Sequence, residues 1–73
     1  MATEHTPVDD VVYDLISVIY HALQGVETED KYIEDAHEHE DVRQFFEEIA
    51  RQDAERARRG HELLLQLTAG AKA

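Results

Sequence analysis

The chain contains no cysteine, a single proline and three glycines. Without cysteine there is neither a disulfide staple nor a thiolate metal site. No apolar run approaches the roughly 18 residues of a membrane span. The opening Met-Ala-Thr-Glu-His lacks the basic and apolar regions of a signal peptide, so a cytoplasmic location is expected. Basic residues are scarce as well: seven Lys+Arg stand against seventeen Asp+Glu, for a net charge of −10. Such a surface repels phosphate backbones and anionic headgroups, which excludes nucleic acid and membranes as natural partners and leaves cations. There is no phosphate-cradling glycine loop, serine-based triad or basic aromatic patch. Two helices offer little concave surface, so conventional hydrolase or transferase chemistry is not expected.

What remains is a short acidic chain of 73 residues, room for one domain only. A chain of this size buries about 60% of its unfolded surface, and its core is marginal without disulfides, metal or oligomerisation. With disulfides excluded, self-association and a cysteine-free metal site are the two remaining supports. The charge is unevenly spread: residues 1–40 hold eleven acids and one base, Lys31, whereas residues 41–73 hold six of each.

Helical signals dominate. Thr6 can cap a first helix, Pro7 suits its first position, and Asp9 and Asp10 lie in the first turn, where the helix dipole favours acids. Val8, Val11, Val12, Leu15, Ile19, Ala22, Leu23, Val26 and Ile33 follow at helical spacing. Gly25 interrupts them at a cost of about 1 kcal/mol relative to alanine, which fits either close packing against another helix or a kink. The polar stretch His37–Glu40, then Asp41 followed three residues later by Gln44, a capping-box variant, place a turn near 38–41. The second helix carries Val42, Phe45, Phe46, Ile49, Ala57, Leu63, Leu64 and Leu67 and stops at Thr68-Ala69-Gly70.

The expected organisation is therefore all-α. Residues 1–6 form a flexible tail, 7–69 an antiparallel two-helix hairpin with helices over about 7–38 and 42–67, and 70–73 a frayed end. The apolar set of the first helix spans an arc of roughly 160°, wider than one helix–helix seam covers. Two hairpins packed as a four-helix bundle would cover it, so a homodimer or higher homo-oligomer is expected. The acidic first helix and the Arg51, Arg56, Arg58 and Arg59 of the second can meet along the flanks.

Polar residues placed where core residues belong carry whatever chemistry there is. Glu27, Asp30, Glu34 and His37 recur at spacings of three or four on one side of the first helix, near its apolar stripe. Glu34-Asp35-Ala36-His37 reads E-x-x-H, which sets a carboxylate and an imidazole a turn apart on one face. On the second helix Asp53 falls in the middle of the stripe, where an unpaired carboxylate is costly and needs a cation. Carboxylates with imidazole inside a bundle suit iron, manganese or zinc. The plainer reading is that Asp53 pairs with Arg56 and that residues 27–37 form a solvated helix end. Tyr13 and Tyr20 share a side with Glu27, and with Tyr32 are packing anchors before they are redox relays.

The stretch Tyr13-Asp-Leu-Ile-Ser-Val-Ile-Tyr-His-Ala-Leu-Gln-Gly-Val-Glu-Thr, with the later Tyr32-Ile-Glu-Asp-Ala, resembles short ferritin-like domains of the encapsulated-ferritin type. These are half-bundles that dimerise into a ferritin-like four-helix fold. The resemblance covers most of residues 12–67 in pattern. It implies iron binding and ferroxidase-type oxidation of Fe(II) at a di-iron site on the dimer interface, and a compartment shell or other larger protein as partner. Glu27, followed by Tyr32, looks like the first-helix glutamate. At the positions where the family's second helix offers E-x-x-H, this chain has Asp53 and Arg56. Aspartate is a shorter ligand, but arginine cannot ligate a metal. Either His37 supplies the nitrogen, or the metal site is lost and Arg56 neutralises Asp53 in a non-enzymatic interaction module.

Overall fold

A computed structural model describes residues 9–71. It consists of two helices packed against each other, α1 (Asp10–Asp35) and α2 (Glu40–Ala71), with no strand among the described residues. The molecule measures 52 × 24 × 15 Å. Neither helix is long and apolar enough to cross a membrane.

Asp9 caps α1 from the backbone: its carbonyl accepts the Tyr13 amide at 3.0 Å, and its side chain makes no capping bond. Thr6 and Pro7, the start signals expected from the sequence, lie outside the described residues, as do the tail 1–6 and residues 72–73. The reversal falls at 36–39, two residues earlier than the polar cluster indicates. The Ala36 amide donates to Tyr32 and Ile33, the His37 amide to Glu34, and the His39 amide to Ala36 at 2.9 Å. No described residue has a positive φ, so this reversal requires no glycine, which is why residues 27–44 contain none. Asp41 is already inside α2, and Gln44 donates its side-chain amide to Glu40 at 2.8 Å rather than capping Asp41.

The far end also differs from expectation. Thr68-Ala69-Gly70 does not stop α2, which continues through Ala71. The Thr68 hydroxyl donates back to the Leu64 carbonyl at 2.9 Å, a bond a helix interior tolerates.

The seam between the helices is built from small residues. Ala22, Ala36 and Ala57 are buried, and Gly60 joins them. A methyl group on Gly60 would come within 2.8 Å of Ile19 Cγ1, and one on Gly25 within 2.5 Å of Asp53 Oδ2. Close approach is therefore real at both glycines, and Gly25 marks packing rather than a kink. Filling the seam with alanine and glycine has a consequence for the larger side chains. Among the described residues none of them is fully buried, and eleven, including Ile16, Tyr20, Leu23, Phe45 and Leu65, remain more than a third exposed. Tyr32 is among these exposed side chains, as are Tyr13 and Tyr20, but its ring lies 5.5 Å from that of Phe46 on the other helix.

Candidate functional site: a buried acid pair

One polar cluster interrupts the small-residue seam. Glu29 is only 8% exposed, the single buried charged residue among the described ones. It reaches the inside because it lies seven residues after Ala22, also buried on α1, and seven before the buried Ala36 that ends the helix, the repeat with which a helix returns to a partner. From α2, Asp53 faces it, its side chain 15% exposed. Gly25 makes room for both: a side chain there would collide with Asp53 Oδ2 and press on Glu29 Oε2 at 3.2 Å. Arg56, one turn beyond Asp53, forms an ion pair with it.

The electrostatics follow from this geometry. Burial, followed by the hydrogen bond to Asp53 and repulsion from its charge, pushes the Glu29 carboxyl up from 4.5 to about 7, against the pull of Arg56. A carboxyl in that range keeps its proton in mildly acidic solution, where an ordinary glutamate is ionised, and can donate it toward Asp53. Oε1 of Glu29 has no hydrogen-bond partner. The cluster thus combines two facing carboxyls, one arginine and one orphaned oxygen.

The sequence points to Asp53 as the inward acid of α2, and the structure places it there. The three acids of α1 and the imidazole just beyond it are another matter. Glu27, Asp30, Glu34 and His37 are all exposed, and within the hairpin none of them is brought to Asp53. The His37 side chain is 72% exposed beside Glu38. The stripe is wide enough that the seam uses one edge of it, through Ala22 and Glu29, and leaves Glu27, Asp30 and Glu34 on the other edge. Glu29 is the residue that sequence reasoning missed. The signal was its position seven from both Ala22 and Ala36 and four from Gly25.

These residues can be tested against the metal that the ferritin-like resemblance implies. Gly25 leaves space beside the acids, and the orphaned Oε1 of Glu29 is the right kind of donor. Yet only two carboxyls converge, and the third group is an arginine, which donates hydrogen bonds and offers no lone pair. Among the described residues no group of three or more His, Asp or Glu is placed to hold a metal ion. The donors of one hairpin do not fit a di-iron centre. Comparison with protein-family models, with curated proteins and with solved structures returns no match for this chain.

Proposed function

We propose that this protein is a non-enzymatic helical association module: a hairpin that pairs with a second copy to complete a four-helix bundle, with its buried acids neutralised by Arg56 and by a proton. The observation that carries this reading is the inversion of the usual core. Small residues fill the seam, while among the described residues eleven large apolar side chains stay more than a third exposed. A lone hairpin in that condition leaves these side chains in water, at about 25 cal/mol for each Å² a partner would cover. Asp53 supports the non-enzymatic part, because the cation it requires is already present as Arg56. Light scattering across a concentration series tests the proposal. A mass of twice 8.4 kDa, or a higher multiple, is expected; a monomer at about 100 μM, a concentration well above a micromolar dissociation constant, would remove its basis.

A second reading, iron binding by a ferritin-like dimer with ferroxidase activity, is favoured by the orphaned Glu29 Oε1 beside the open space at Gly25. It requires donors from a second copy, with Glu27, Asp30, Glu34 and His37 as candidates alongside Asp53. Elemental analysis after dialysis separates the two readings. Iron, manganese or zinc retained by the wild type and lost in Glu29→Gln would establish the second; metal-free wild type protein sinks it.

A further inference from the structure

The hairpin has two broad faces, and each carries an apolar groove. One carries an open groove of about 390 Å³ lined by Ile19, Leu23, Val26, Ala57 and His61 with the Arg58 stem. Ile16, Tyr20 and Leu23, at spacings of four and three, extend it along α1, and Ala50, Ala54 and Ala57 extend it along α2. Large side chains on one helix beside small ones on the other make a surface complementary to itself, because a twofold axis brings the large row of each copy onto the small row of the other. The opposite face carries an apolar groove at its open end, lined by Val11, Leu15, Leu63 and Leu67. Arg51, Arg56 and Arg59 line a separate groove on α2 alone.

Charge specifies the same arrangement. Arg43 bridges Glu40 and Glu47, Arg58 bridges Glu55 and Glu62, Arg56 holds Asp53 and Arg59 approaches Glu62. Arg51 alone among the α2 arginines has no ion pair among the described residues, and on α1 neither Glu27 nor Glu34 has one. The seam sets Gly25 level with Asp53 and Ile19 level with Gly60. Two residues on from Gly25 is Glu27, and two before Asp53 is Arg51, so these two stand at one height on the outer flanks of their helices. A twofold axis parallel to the helices preserves that height and lays α2 of the second copy antiparallel along α1.

Resting on the self-association reading above, the geometry points to one interface: a second copy docks on the Ile16–Leu23 face, and Arg51 of each copy closes on Glu27 of the other. The face, on a molecule 52 Å long and 24 Å wide, is large enough for the ~800 Å² per partner that stable interfaces use. Glu27 thereby acquires a cation without a metal.

Sedimentation equilibrium on the full chain, with helicity followed by circular dichroism, tests this. Leu23→Asp places a charge at the centre of the interface and is expected to weaken association at least about 100-fold, whereas Leu67→Asp on the opposite face leaves it within about threefold. Arg51→Glu is expected to weaken association about tenfold, and Arg51→Glu combined with Glu27→Arg to restore it. Since Arg51 and Glu27 are exposed, this swap remains decisive if Leu23→Asp fails to fold. Dissociation by Leu67→Asp but not Leu23→Asp, or a swap that fails to restore association, overturns the assigned face while self-association stands. A monomeric wild type overturns both.

Discussion

Gly25 and Gly60 mark two places where α1 and α2 approach each other closely, and they face opposite chemistries. Opposite Gly60 lies Ile19, and a methyl group there would meet the aliphatic Cγ1 at 2.8 Å. Opposite Gly25 lie the carboxyls of Asp53 and Glu29. The first contact is with the Cγ1 of a β-branched side chain, next to its backbone rather than at a flexible end. The second is a seat for groups that can rotate, change protonation or turn toward Arg56. A missing side chain therefore serves packing in one half of the seam and electrostatics in the other, and the two should respond differently to perturbation.

The largest effect is expected at the apolar contact. Gly60→Val would drive Ile19 off its rotamer and part the helices, for a loss of about 3 kcal/mol in urea unfolding, the upper range for overpacking. A loss below about 1 kcal/mol would mean the seam is looser than the contact distances indicate. Next comes the protonation of Glu29. Its folded value of about 7 lies above the 4.5 of the unfolded chain, so the folded state binds the extra proton between those values. Stability from this group is complete below about pH 4.5 and is lost as the pH rises through about 7. Glu29→Gln should flatten the decline in melting temperature between pH 5 and pH 8, with the variant gaining on the wild type at the alkaline end. Parallel pH profiles for the two proteins would show that Glu29 is not the titrating group. The smallest effect is expected from Gly25→Ala. The gain of about 1 kcal/mol in helix propensity offsets the displacement of carboxyl ends that can swing aside, so net stability should stay within about 1 kcal/mol. A loss as large as that of Gly60→Val would abolish the distinction between the two contacts.

How much of this was legible in the sequence depended on how sharply each signal could be placed. The all-helical hairpin followed from periodicity alone, and Asp53 stood in the middle of its stripe, so its burial was readable. Gly25 offered two readings, and the short approach to Asp53 decides for packing. The reversal was harder to place. Its polar residues suit a helix surface as well as a turn, and with no positive φ involved nothing in composition marks the spot. The site was only half legible for a related reason. An apolar arc wider than one seam tells which side of a helix is apolar, but not which edge of it meets the neighbouring helix. Within the hairpin that edge takes in Glu29, while Glu27, Asp30, Glu34 and His37 stay exposed.

The glycine-free reversal at 36–39 has one more consequence. A tight left-handed corner would itself dictate which way the chain leaves α1, and these residues dictate nothing of the kind. Antiparallel direction in this protein is a property of how alanines, glycines and one guarded pair of acids interlock along some forty ångströms of contact, a length of about 1.5 Å for each residue of α1. Orientation is stored along the shafts, and the bend merely permits it.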